Sequence, residues 1–174
     1  LVQQLRAKHP GFMAPEIVAK TGWTTNELAT HLIHTLLQKQ YDFVTLLIGV
    51  NNQYRGLSIT EFDQEFTFLL LKALQYNGHQ NKRVFVLSIP DWAHTPFAQK
   101  KSEEAGLDLT EISAQIDAFN LVIKKRCEDM EIELINITDL TRNCAPEMIA
   151  QDGLHYSANM HQLWANLLLQ KFEL

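Results

Sequence analysis

The residues of this chain best suited to chemistry come late. Asp152-Gly153-Leu154-His155 sets a carboxylate three positions before an imidazole, directly ahead of a helical pattern. On one turn of loop, that spacing brings both side chains to the same side. A carboxylate so placed holds an imidazole in one tautomer, and the imidazole can then take a proton from a hydroxyl nucleophile. The same residues also fit a capping acid beside a surface histidine, because so short a motif recurs by chance. Two more segments bear on this chemistry. Gly49-Val50-Asn51-Asn52 follows an apolar run; the glycine lets the backbone turn sharply close to a ligand, and the Asn51 amide is a suitable donor to a developing oxyanion. Gly22 precedes Trp23-Thr24-Thr25 and would expose its N–H at the start of a helix, where negative charge is favoured. Each of these two also reads as an ordinary polar turn.

The elements that must gather these residues alternate along the chain. Leu1, Val2, Leu5 and Ala7 have helical spacing, broken by His9-Pro10-Gly11. Residues 16–21, with Ile17 and Val18, are expected as a strand. Thr24 or Thr25 caps the next helix, with Glu27 in its first turn and Leu28, Leu32, Leu36 and Leu37 on one face. Asp42–Ile48 is a near-continuous apolar strand, as in parallel sheets covered on both faces. Residues 49–56 read as a loop. A helix runs from Ser58 or Thr60 to Tyr76, closed by Asn77-Gly78. Arg83–Ile89 is another buried strand, followed by a long polar loop with Trp92, His94 and Phe97. A helix over 110–129, a strand over 132–137 and a terminal helix capped by Ser157 and carrying Leu163, Leu167 and Leu168 complete the chain. This alternation, without repeat or linker, indicates one α/β domain over residues 1–174 with parallel strands at 16–21, 42–48, 83–89 and 132–137. Ligands of such sheets bind outside the carboxyl ends of the strands. Gly22, Asn51 and the Asp152–His155 pair are therefore expected at one edge. Trp92 and its neighbours there suit a substrate pocket or simple packing equally.

Taken together, these segments resemble the SGNH (GDSL-type) hydrolase family from Thr21 to the final helix. Its second block supplies a glycine, matched by Gly22. Its third block, Gly-x-Asn-Asp, is matched by Gly49, Val50 and Asn51, with Asn52 where Asp is usual. Its fifth, Asp-x-x-His, is matched by Asp152 and His155. The resemblance implies a three-layer α/β/α domain with a flavodoxin-like parallel sheet. It also implies a serine esterase in which His155 is the base, Asp152 its orienting acid, and Gly22 and Asn51 parts of the oxyanion hole. Gly49, Asn52 and Trp92 would border the substrate. The family's first block, Gly-Asp-Ser, has no match: the serines stand at 58, 88, 102, 113 and 157, none in that context. The nucleophile and the first, central strand are thus expected to precede Leu1, between the strands at 16–21 and 42–48. About 30 further residues would supply such a unit. The alternative is an α/β binding domain that has lost the nucleophile.

Composition narrows the partners. A formal net charge of -5 argues against nucleic acid, which wants a basic stripe. No apolar run reaches membrane-spanning length. Cys127 and Cys144 are too few for a disulfide scaffold and read as free thiols. His31 and His34 lie one helical turn apart without further ligands, so they read as a solvated face and no metal is implied. The expected partner is a small-molecule ester, with no cofactor.

Overall fold

The computed structural model describes residues 1–8, 10–37 and 40–172; His9, part of the expected helix break, lies outside them. Three short parallel strands, β1 (Val44–Leu46), β2 (Val84–Leu87) and β3 (Glu133–Ile135), lie in the order β1-β2-β3. Val84 pairs with Val44, and Val86 with Leu134. β2 is buried along its whole length. Its alternating side chains send Val84 and Val86 into one core and Phe85 and Leu87 into another. The first core is closed by α4 (Ile59–Tyr76) and α6 (Leu109–Asp129), through Phe62, Phe66, Ile116 and Phe119. The second is closed by α8 (Ala158–Leu169), through Met160, Trp164 and Leu168. Helix α1 (Val2–Lys8) lies beside α8, where Gln4 donates to Asn166 at 2.7 Å. Helices on both faces of a parallel sheet make the expected three layers.

The helices begin where local chemistry allows. α2 (Thr25–His34) opens with a capping box: Thr24 Oγ1 accepts from the Glu27 N–H at 3.4 Å, and the Glu27 carboxylate accepts from the Thr24 N–H at 2.8 Å. Ser58 caps α4 and Asp108 caps α6. Thr95 caps α5 (Pro96–Ala105), which has proline in its first turn and ends at Gly106 in the left-handed conformation.

Several expectations are corrected. Residues 16–21 form no strand. Among the described residues no strand pairs with them, so their backbone has no ladder to join, and Ile17 is 79% exposed. α2 stops at His34 because Thr35 turns extended, which leaves Leu36 fully exposed instead of on the helix face. The loop after β1 contains a short helix, α3 (Val50–Tyr54), and the loop after β2 contains α5. A further short helix, α7 (Thr138–Arg142), follows β3. Ser157 does occupy the N-cap position of α8, but its hydroxyl donates instead to the Glu147 carbonyl at 2.9 Å.

Gly49 belongs to the packing and not to a pocket. It is buried at φ 121°, and a Cβ there would lie 2.7 Å from Ile89 Cδ1 and 2.9 Å from Phe62 Cε2. Gly49→Ala combines a strained backbone with overpacking. It should destabilise the domain by about 2–4 kcal/mol in urea unfolding.

Candidate active site

The Asp152–His155 loop is shaped by its own backbone. Ile149 and Tyr156 form an antiparallel bridge, and the Ala150 N–H donates to the His155 carbonyl at 2.7 Å. Inside this loop Asp152 Oδ1 accepts the N–H groups of Leu154 and His155, both at 2.9 Å, while Oδ2 meets His155 Nδ1 at 2.6 Å. The Leu154 N–H foremost, then the His155 ring and N–H, lower the Asp152 carboxyl to about 2. It is ionised at neutral pH, so Nδ1 must be the donor and Nε2 of a neutral His155 the acceptor. Both side chains stay half or more exposed, 52% for Asp152 and 68% for His155.

Two ties dock this loop on the segment after β2. The Phe97 N–H donates to the Gly153 carbonyl at 2.9 Å, and the Tyr156 hydroxyl donates to the Asp91 carbonyl at 3.0 Å. Asp91 is itself wholly buried. Its carboxylate accepts from Arg142 Nε at 2.8 Å and from the Ala93 N–H at 3.1 Å.

α3, which follows β1, uses Asn51 and Arg55 to hold the Gly22 segment. Asn51 Nδ2 donates one N–H to the Trp23 carbonyl at 3.0 Å, which leaves the second amide hydrogen for another acceptor. Gly22 stands at φ 84°, and its carbonyl accepts from Arg55 Nη2 at 2.5 Å. Arg55 Nη1 also reaches Glu27 at 3.3 Å. β1 and β2 are parallel, so α3 with Asn51 and the Asp91 segment that docks the Asp152–His155 loop both follow the carboxyl ends of their strands.

Asn52 does not border a substrate. It is 1% exposed and ties α2 to α3: its Oδ1 accepts the Thr25 N–H at 3.0 Å, and its Nδ2 donates to Thr25 Oγ1 at 2.6 Å. Thr25 Oγ1 donates onward to Glu65 at 2.5 Å. That hydroxyl has given its one proton to Glu65, so the group facing it must be a donor, and an amide stands where the family usually has Asp.

The model of the GDSL-like lipase/acylhydrolase family matches residues 1–163. The chain belongs to this family. No curated protein matches this chain in sequence. Among solved structures it is similar to the acetylxylan esterase Axe2 from Geobacillus stearothermophilus, with a TM-score of 0.71 and 17% identity over 99% of this chain and 79% of that one. The α/β hydrolase LAE5 from the metagenome of Lake Arreo, Spain, gives a TM-score of 0.71 and 17% identity, over 97% and 77%. The lipase/acylhydrolase from Enterococcus faecalis gives 0.64 and 16%, over 86% and 70%. These likenesses show the shared fold.

In this member of the family, Trp92 is 6% exposed and borders a cavity of about 470 Å³ between α3, α5 and α6. Sequence reasoning passed over Arg55, Asp91, Tyr156 and Gln53. The bonds that place them, to Gly22, Arg142, Asp91 and Trp92, span 33 or more residues, which no local pattern reveals, although Tyr156 adjoins His155. His31 packs its ring on Trp23 at 4.9 Å. Both cysteines are free, and burial pushes the Cys127 thiol up to about 12.

Two measurements test this geometry. Asn52→Asp sets an acceptor against an acceptor and should cost about 1–3 kcal/mol in chemical unfolding. The Asp152 carboxyl is depressed, so its contribution to stability is present above its ordinary value of 3.8 and is lost as pH falls towards about 2. The wild-type chain should therefore lose stability between pH 4 and pH 2 more steeply than Asp152→Asn, read by acid unfolding followed by circular dichroism.

Proposed function

We propose that this chain supplies the base, the orienting acid and two oxyanion donors of a serine ester hydrolase, with the nucleophilic serine outside residues 1–174. The observation that carries the reading is the 2.6 Å contact from an ionised Asp152 to His155 Nδ1, which leaves Nε2 as a proton acceptor. Two Axe2 structures, described as catalytic mutants, alter an aspartate and a histidine three positions later, the spacing of Asp152 and His155. Three of the five serines are engaged elsewhere, which supports an external nucleophile. Ser88 Oγ is buried against Thr138 at 2.7 Å, Ser58 caps α4, and Ser157 is bonded to Glu147.

In this mechanism the serine oxygen attacks the ester carbonyl as its proton passes to His155 Nε2. The Asn51 amide and the Gly22 N–H take up the charge on the carbonyl oxygen. Collapse of the tetrahedral adduct breaks the bond to the alcohol, which leaves with the proton held on His155. Water then releases the acid by the same route. Asp152 remains ionised throughout and stabilises the imidazolium.

The test uses the natural protein with its upstream sequence and p-nitrophenyl acetate. His155→Ala should lower turnover by several orders of magnitude, and Asn51→Ala by about a hundredfold. Residues 1–174 alone should be inactive. Equal rates for wild type and His155→Ala would end the esterase reading and leave a non-catalytic α/β binding domain.

A further inference from the structure

The cavity beside Trp92 shares two walls with the candidate active site. α3 brings Asn51 to the oxyanion position and, one turn later, Gln53 and Tyr54 to the cavity. Phe97 lines the cavity with its ring, while its N–H holds the Gly153 carbonyl of the His155 loop. The cavity thus lies on two of the elements that carry the proposed reaction centre, while Gly22, Asn51, Asp152 and His155 themselves do not line it.

Four polar side chains of the wall bond one another in series. Trp92 Nε1 donates to Gln53 Oε1 at 2.7 Å, Gln53 Nε2 donates to Gln115 Oε1 at 2.8 Å, and Gln115 Nε2 donates to Glu111 Oε1 at 2.8 Å. This ladder runs from a buried indole to an exposed carboxylate in one direction. The buried Gln53 oxygen already accepts the indole N–H, so it does not stand unpaired waiting for a ligand hydroxyl. Selectivity for a hydroxyl-bearing group comes from such waiting partners, left unpaired when the group is missing. The remaining surface is largely apolar: Trp92 stands edge-on to Tyr54 at 5.3 Å, beside Phe97, Leu107 and Ile112. The charges at the rim are Asp108, Glu111 and Lys101, the last lying over the Phe97 ring at 5.9 Å. Two carboxylates against one ammonium disfavour an anionic ligand.

We infer that this cavity is a specificity subsite for a neutral, apolar part of the ester, an alkyl chain or an aromatic ring, and not for a sugar or an acid. This rests on the esterase reading for its role in turnover, but not for binding. The same chemistry can reside on the acyl or on the alcohol side of the ester, and the two sides are separable.

The experiment uses the full-length protein and has a binding arm and a turnover arm. Binding is read from the Trp92 indole N–H resonance, assigned with Trp92→Phe. 1-Hexanol and benzyl alcohol should shift it, while xylobiose and hexanoate ion should bind at least about tenfold more weakly. Ala105→Trp, which fills the mouth from an exposed position on α5, should weaken hexanol binding by a similar factor. Lys101→Trp, one turn away, serves if that variant does not fold. A shift with xylobiose but not hexanol, no shift with either, or unchanged hexanol binding in the filled variants overturns the proposal. In turnover, p-nitrophenyl hexanoate against acetate varies the acyl side, and benzyl against ethyl acetate varies the alcohol. One series should rise about tenfold or more in kcat/KM and lose that rise in Ala105→Trp. Flat ratios in both series overturn the subsite. Hexanol binding without any turnover overturns the esterase reading and leaves the apolar site standing.

Discussion

β2 is bonded on both edges and buried on both faces, and the rest of the domain follows from that double demand. A parallel pair cannot be joined by a tight turn, so each connection has to carry the chain back across the sheet. Helices α4 and α6 do so; α4 delivers Phe62, Phe66 and Leu70, and α6 delivers Ile116, Phe119 and Ile123, to the core under Val84 and Val86. The other face, under Phe85 and Leu87, is left for α8. Because β1, β2 and β3 run the same way, the segments after Leu46, Leu87 and Ile135 all emerge at one edge. The segments that carry Asn51 and Asp91 are brought to that edge by the common strand direction.

That edge is held by buried polar side chains. Ser88 Oγ accepts the N–H groups of Ile137 and Thr138, at 2.9 and 3.1 Å. Asn120 reaches in from α6, accepting from the Ile89 N–H at 2.7 Å and donating to the Ile89 carbonyl at 3.1 Å. Satisfied networks of this kind fix a geometry, since breaking one member strands its partner. The Asp91–Arg142 pair extends the network, and Arg142 also bonds Asp117 at 2.7 Å. The ledge so formed carries Tyr156 and Gly153, and through them His155. Removing Arg142 would leave Asp91 as a buried, unpaired charge, a costlier change than the loss of an exposed ion pair such as Arg55–Glu27.

The same sequence pattern meets two fates on this edge. Asp91-Trp92-Ala93-His94 and Asp152-Gly153-Leu154-His155 both set an acid three residues before a histidine. In the first, the acid is buried and committed to Arg142, and His94 Nε2 stands 3.8 Å away. In the second, the loop's own N–H groups occupy one oxygen and leave the other to His155. The acidity of Asp152 is thus a property of an exposed turn and owes nothing to burial.

The sequence alone determined what local chemistry can enforce. The apolar runs at 42–48 and 83–89 announced parallel strands, of which β2 is buried throughout while β1 shrinks to Val44–Leu46 and stays partly exposed, and Thr24 with Glu27 announced a helix start. The order of Gly22, Asn51 and Asp152-x-x-His155 announced the family. The short helices α3, α5 and α7 escaped notice because their residues carry little periodicity and are held by long-range partners, as Trp92 is by Gln53. Residues 16–21 show the converse: Ile17 and Val18 favour a strand, but strand structure needs a neighbour. Which side chains face substrate and which face the core was likewise a tertiary matter. Gly49 and Asn52 adjoin Asn51 in the chain, yet one is required by the rings of Phe62 and the methyl of Ile89, and the other by Thr25. Spacing in sequence says which residues can share a turn. Only the packing of α2, α3 and α4 against one another decides which way each side chain is spent.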